Sequence, residues 1–178
     1  DLEKLLEERK AVIKVIGLGG AGNNTATRLM ESGVHGIEII GANTDAQQLL
    51  YCKADKKILL GKNLTKGLGA GADPSIGEEA TKESKEEIKK VLKGTDMLFL
   101  TCGLGGGTGT GGTPIIAELA KKMNILTVGI VTMPFQMEGR KRMENALLGL
   151  EKLEKNVDTL IVIPNDKLLE IVPEVSIT

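Results

Sequence analysis

The sequence predicts a single α/β domain built on a doubly wound, mainly parallel sheet of about six strands with helices on both faces. Three observations predict it. Short apolar runs rich in Val and Ile recur along the chain, which is how strands buried on both faces of a parallel sheet read. Segments of helical period lie between most of them, supplying the crossovers that parallel neighbours require. Glycine-rich stretches sit where strands give way to helices, at the sheet edge where open α/β folds bind ligands. A length of 178 residues suits one compact domain spanning residues 1–178.

The elements follow in order. Leu2, Leu5 and Leu6 stand at helical spacing, so residues 1–10 predict a peripheral helix. The strands are expected at "AVIKVIG" (11–17), "GIEIIGA" (36–42), "KKILLG" (56–61), "DMLFLTCG" (96–103), "ILTVGIVT" (125–132) and "DTLIVIP" (158–164). "NNTATRLMES" predicts a helix after a glycine loop, with Leu29 and Met30 on its inner face. "PSIGEEATKESKEEIKKVLKG" predicts one helix with Asp73 as N-cap, Pro74 in the first turn and Gly94 as the stop. "TPIIAELAKKM", starting near Thr113 and Pro114, and "EGRKRMENALLGLEKLEKN" predict the last two.

Composition removes several functions. With 23 basic and 24 acidic residues the formal net charge is -1, and no block of like charges forms a nucleic-acid arm. Two Phe, one Tyr and no Trp leave almost nothing for base stacking, so polymeric nucleic acid is not an expected partner. No run approaches the roughly 20 apolar residues of a membrane span, so direct membrane insertion is not expected and the location expected is cytoplasmic. Cys52, Cys102 and His35 lack disulfide or metal-ligand spacing and are assigned packing or surface roles.

Three loops that leave strands carry the chemistry. "GLGGAGNN" (17–24) matches G-x-G-x-x-G at Gly17, Gly19 and Gly22, a pattern that brings backbone amides and a helix N-terminus to a phosphate. Taken alone it is a weak signal, which a tight turn with close helix packing or a nicotinamide or flavin dinucleotide site would also produce. "GLGGGTGTGG" (103–112) is a second such stretch, and two of them suggest a di- or triphosphate gripped from both sides. Thr108 and Thr110 add hydroxyl donors. "GKNLTKGLGAGADP" (61–74) offers further amides and is a candidate sensor of the last phosphate. No G-x-x-x-x-G-K-[ST] occurs, so charge neutralisation is expected from amide dipoles and a Mg²⁺ ion held through phosphate oxygens and water. Asp45 and Asp73 could assist through water, although capping is their simpler role.

"GLGGAGNN", "NTDAQQL", "TKGLGAGADP", "GGGTGTGG", "PFQMEGRKR" and "PNDKLLEIV" together resemble the successive nucleotide-contacting loops of the FtsZ family, the prokaryotic tubulin-like cell-division GTPases. The resemblance covers nearly the whole chain and implies binding of GTP and GDP, head-to-tail assembly into filaments at the division site, and hydrolysis between subunits. It implies that Gly19, Gly20, Ala21, Gly22, Asn23 and Asn24 hold the α- and β-phosphates, Asn24 lying also near guanine. Ala70, Gly71 and Ala72 would meet the γ-phosphate, and Gly105, Gly106, Gly107, Thr108 and Gly109 would wrap the phosphates from the opposite side. Glu138 and Arg142, four apart at the start of a helix, match the ribose-side contacts, and Asn165 would approach the sugar or base. From the residues alone, Glu138 and Arg142 read as a surface ion pair.

The resemblance also implies a guanine-reading helix and an acidic catalytic loop after "PNDKLLEIV", and "VPEVSIT" contains neither. The expectation is a nucleotide-binding half with no catalytic residue of its own, slow in hydrolysis and able to cap one end of a filament. Two other functions stay open. An NAD(P)-dependent oxidoreductase of Rossmann type is disfavoured by Asn43 and Thr44, which stand where such enzymes carry an acidic residue. A non-hydrolysing assembly regulator of the same fold would bind neither nucleotide.

Overall fold

The computed structural model describes residues 1–166. The expectations placed on the end of "PNDKLLEIV" and on "VPEVSIT" lie outside the described residues. The strands are β1 (Ile13–Leu18), β2 (Ile37–Asn43), β3 (Lys56–Leu59), β4 (Met97–Gly103), β5 (Leu126–Met133) and β6 (Thr159–Pro164). They form one sheet in the order β3-β2-β1-β4-β5-β6, and every neighbouring pair is parallel. All six apolar runs are strands, within a residue or two of their expected limits.

The helices are α1 (Leu2–Glu8), α2 (Gly19–Glu31), α3 (Ala46–Tyr51), α4 (Lys62–Thr65), α5 (Pro74–Glu83), α6 (Lys85–Leu92), α7 (Thr108–Lys122) and α8 (Arg140–Glu154). Alternate strand residues face two separate apolar clusters, as the period of two requires. Ile39 joins Ala26, Leu29 and Met30 of α2 on one face. On the other, Ile40, Leu98 and Leu100 pack with Ile88, Ile116, Ala146 and Leu153 from α6, α7 and α8. The sheet is therefore covered on both faces, and more thickly on the second.

At the opposite ends of the strands one device occurs three times. Asp96 donates its backbone N–H to Val12 O at 2.9 Å, and its carboxylate accepts from Val12 N at 2.7 Å. Asp55 does the same with Ile39, and Asp158 with Thr127. Each aspartate precedes a strand and closes a two-bond ring onto the strand beside it. At Val12, Ile39 and Thr127 the amide is thereby satisfied by a carboxylate and the carbonyl by the same aspartate's backbone N–H.

Two helices differ from expectation. The single helix expected between Asp73 and Gly94 is two, α5 and α6, meeting at Ser84. The Ser84 hydroxyl there accepts from Gly61 N at 3.0 Å, so the break satisfies a buried donor at the start of α4. The helix expected to start near Thr113 begins five residues earlier, at Thr108. Its glycines, each unfavourable in a helix by about 1 kcal/mol, are held there by close packing, Gly109 on β4 and Gly111 and Gly112 on α5. A Cβ on Gly107 would lie 2.7 Å from Ala70 Cβ and 2.9 Å from Asp73 N. A Cβ on Gly111 would strike Pro74 O.

Candidate functional site

The chain moves outward from β1 to β2 and β3 on one side, and from β4 to β5 and β6 on the other, so the winding reverses between β1 and β4. Beyond the carboxyl ends of those two strands opens a cleft of about 550 Å³. That volume lies within the ~300–1,000 Å³ of small-molecule sites, and the place is the switch point at which open α/β sheets take ligands.

Two helices begin on this cleft. α2 starts at Gly19, directly after β1, and α7 starts at Thr108, a few residues after β4. Amides in the first turn of each have no intrahelical partner, and both helix dipoles are positive at this end. The two glycine runs touch: Gly19 has φ +70°, and a Cβ on it would lie 3.4 Å from Gly109 N. Gly17 and Gly22 play a different part, packing α2 onto the sheet, since a Cβ on Gly22 would sit 2.7 Å from Thr101 O. The G-x-G-x-x-G pattern thus combines one glycine on the cleft with two at the helix–strand contact.

The third loop forms another wall, with Leu68, Gly69, Ala70, Gly71 and Ala72 all lining the cleft. It is tied to the exit of β2, where Ala46 N donates to Gly67 O at 3.0 Å and Asp45 pairs with Leu68 in an isolated antiparallel bridge. Gly71 and Ala72 adopt positive φ of 59° and 61°, so this wall is bent through the left-handed region twice in succession. α5 then starts from Asp73, whose carboxylate accepts from Ser75 N at 2.9 Å and from the Ser75 hydroxyl at 2.7 Å. These bonds hold the Asp73 carboxyl below its ordinary pKa of 3.8.

The other candidate residues are distributed unevenly. Gly19, Gly20, Ala21, Gly106, Gly107, Thr108, Gly109, Glu138, Arg142 and Asn165 line the cleft. Asn23 is buried behind it, donating from Nδ2 to Gly17 O at 3.0 Å and Ala42 O at 3.1 Å, and accepting from Asn43 Nδ2 at 3.0 Å. Asn24 is exposed and, like Gly22 and Gly105, outside the lining. The Gly105 amide donates to Thr110 Oγ1 at 2.8 Å, bracing the turn beneath the run. Asn43, Thr44, Gln48, Gly69 and Pro134, which stand in motifs the resemblance marks without an individual role, also line the cleft, as does Thr132. For the first three the sequence signal was "NTDAQQ", a polar cluster directly after an apolar strand.

Comparison with known proteins places this geometry. The profile of the Tubulin/FtsZ family, GTPase domain, matches residues 12–173. The chain belongs to the Tubulin/FtsZ family. It is 61% identical over 177 residues to cell division protein FtsZ 1 of Thermococcus kodakarensis, covering 99% of this chain and 48% of that one. Among solved structures, an empty FtsZ dimer from M. jannaschii superposes with a TM-score of 0.93 at 58% identity, covering 99% of this chain and 51% of that chain. A GDP-bound monomer of CetZ1 from Haloferax volcanii superposes with a TM-score of 0.82 at 26% identity, covering 94% and 54%. The chain spans about half the length of the curated FtsZ relatives it matches.

In this Tubulin/FtsZ chain, Glu138 and Arg142 do not share a helix, contrary to the expectation from their spacing. Glu138 ends a 3-10 turn (Gln136–Glu138), and Gly139, at φ +103°, separates it from α8. Their side chains meet nevertheless, with Arg142 Nε 3.0 Å from Glu138 Oε2. Arg142 is the one cationic side chain in the lining among the described residues. No group of three or more His, Cys, Asp or Glu that could hold a metal occurs among them. That donor set fits a Mg²⁺ ion bound through phosphate oxygens and water and does not fit a protein cage. Asp45 is the carboxylate best placed to assist, since its Oδ1 accepts from Gln48 N at 3.0 Å while its Oδ2 makes no hydrogen bond among the described residues. Cys102, buried beneath the second run, has its thiol pushed up to about 11 by burial, so it stays protonated at neutral pH. No helix among the described residues is long and apolar enough to cross a membrane.

Proposed function

We propose that the cleft binds GTP and GDP, and that this chain is the nucleotide-binding part of a filament-forming, cytoplasmic cell-division GTPase acting at the division site. One observation carries the reading: two glycine-rich helix N-termini, from the adjacent strands β1 and β4, touch across a single cleft at the switch point. An ordinary dinucleotide fold needs one such end for its pyrophosphate. Two of them, with a third wall of small residues, suit a longer phosphate chain.

The amides of Gly19, Gly20 and Ala21 hold one side of the phosphates and those of Gly106 to Gly109 the other. Ala70, Gly71 and Ala72 meet the last phosphate, while Glu138, Arg142 and Asn165 face the sugar or base. A Mg²⁺ ion, bound through phosphate oxygens and water, neutralises the charge that Arg142 alone cannot.

Hydrolysis by this chain alone is slow. Phosphoryl transfer needs a held water and neutralised oxygens. Of the carboxylates in the described lining, Asp45 caps α3 and Glu138 has one oxygen on Phe135 N and the other on Arg142. Glu138 has no oxygen to spare, and Asp45 keeps only Oδ2, held by its cap to one end of α3. The remaining catalytic group comes from an adjacent subunit in head-to-tail contact, a heterologous arrangement in which this chain caps one filament end.

A fluorescent guanine nucleotide bound to the purified chain should be displaced by GTP and GDP at concentrations where NAD has no effect. Displacement by NAD at equal or lower concentration would support the oxidoreductase, and failure to bind any of the three would support the regulator.

A further inference from the structure

Gly149 lies buried in α8, outside every glycine run and away from the cleft lining. A Cβ on it would lie 2.6 Å from the Thr110 methyl carbon, Cγ2, and 3.2 Å from Thr110 O. Thr110, in the first turn of α7, is 2% exposed. Its hydroxyl oxygen accepts from Gly105 N at 2.8 Å, a bond that reaches back from the helix to the turn before it. α8 meets that turn twice more. Asn145, also buried, donates from Nδ2 to Gly105 O at 3.4 Å, and a Cβ on Gly105 would lie 3.1 Å from Arg142 O.

Gly105 is thus committed at both of its polar groups. With Leu104 N donating to Thr132 O at 2.9 Å, the first amides that the turn leaves for a ligand are those of Gly106 and Gly107. Where they point depends on Gly105, which sits at φ +115° and is fixed by the Thr110 hydroxyl. Thr110 carries its hydroxyl and its methyl on one Cβ, so its χ1 sets both at once. A side chain at 149 would press on the methyl, and turning χ1 to relieve it swings the hydroxyl away from Gly105 N. None of Gly149, Thr110 and Asn145 lines the cleft, so their effect on a ligand passes through the turn.

We propose that Gly149 is a positioning residue for nucleotide binding, an inference that rests on the GTP/GDP reading above. The gap it leaves in α8 seats the Thr110 methyl, which holds the Thr110 hydroxyl beneath Gly105 and aims the amides of Gly106 and Gly107 into the cleft. Those amides belong to the run that GTP and GDP share, so the effect falls on both nucleotides alike. An ordinary overpacked core loses stability alone. Here the displaced atom is the acceptor that shapes the turn, and serine at 110, which keeps the hydroxyl and drops the methyl, removes the conflict.

The test uses the nucleotide-stripped chain and measures Kd for GDP and GTPγS as a double-mutant cycle. Gly149→Ala in the native background should weaken both nucleotides about tenfold, and the same substitution made in Thr110→Ser should change either by about threefold or less. Hydrogen exchange at Gly105 N should accelerate in Gly149→Ala and not in the double variant. Unchanged affinity in Gly149→Ala, or an equal loss in both backgrounds, would overturn the proposal. Should Gly149→Ala not fold, Thr110→Val decides, since it keeps the methyl and removes the acceptor. Binding about tenfold weaker is then expected, and native affinity would overturn the proposal. A native chain that binds neither nucleotide removes the GTP/GDP reading and this role with it, whereas tight native binding with an indifferent Gly149→Ala removes only the role of Gly149.

Discussion

Glu138 grips Arg142 across the boundary between the 3-10 turn and α8: its Oε2 lies 3.0 Å from Arg142 Nε, while its Oε1 accepts from Phe135 N at 3.2 Å. The carboxylate thus fixes the guanidinium of the lone described cation on the cleft wall against a rigid backbone point, beside Gly106. Arg142→Ala should weaken nucleotide binding about tenfold, in keeping with the loss of a charge-assisted contact. Glu138→Gln should have a smaller effect, because Arg142 remains but is less firmly held. Titration of a fluorescent guanine nucleotide measures both, and a larger loss for Glu138→Gln would contradict the positioning role.

Gly107 lies against α5, and Gly71, at φ +59°, faces open space. Gly107→Ala should destabilise the fold by about 1–3 kcal/mol through overpacking against Ala70 and Asp73. Gly71→Ala should cost roughly 1 kcal/mol, from left-handed backbone strain without a clash. Urea denaturation distinguishes them, and equal costs would show that α5 does not press on the second run as described.

Asp158 closes a ring with Thr127, donating from its backbone to Thr127 O and accepting from Thr127 N at 2.7 Å. Removing the carboxylate with Asp158→Ala leaves that amide, near the start of β5, without its acceptor and should destabilise by about 1–2 kcal/mol. Hydrogen exchange at Thr127 N should accelerate, while exchange in α2 changes only with global stability. An unchanged Thr127 rate would refute the ring as a stabilising feature.

The Asp73 cap has a pH signature. Its carboxyl is held below the ordinary 3.8, first by the Ser75 hydroxyl and then by the Ser75 amide, so the folded state favours the ionised form. Its contribution is therefore fully present above the unfolded value and is lost as pH falls through the lowered folded value. Asp73→Ala should lower Tm by roughly 2–4 °C at pH 7. The difference should shrink as the pH drops below 3.8, and a difference that persists in strong acid would exclude the carboxylate as its source.

The strands were legible in the sequence because a parallel sheet buries both faces, which leaves unbroken runs such as "IKVIGL" and "MLFLTCG". The helix starts were not. Glycine disfavours helix, so Gly19–Gly22 and Gly109–Gly112 read as loops ending at Asn23 and Thr113. In the fold they are the first turns of α2 and α7, since only glycine allows α2 to lie on the sheet and α7 on α5. Tertiary packing overrode local propensity at both sites. The same packing answers for much of the second run's glycine content, with Gly107 and Gly111 meeting α5 and Gly106 left open to the cleft. The ring aspartates were not legible for a different reason. Each acts through a partner on another strand or loop, a pairing that appears only once the register is set.

The central claim is that two helix N-termini grip one phosphate chain. A crystal structure of this chain with GDP tests it most directly. The account predicts diphosphate oxygens within about 3.2 Å of amides from both Gly19–Ala21 and Gly106–Gly109. A diphosphate held by only one of the two runs, or a nucleotide bound away from the β1–β4 cleft, would contradict it.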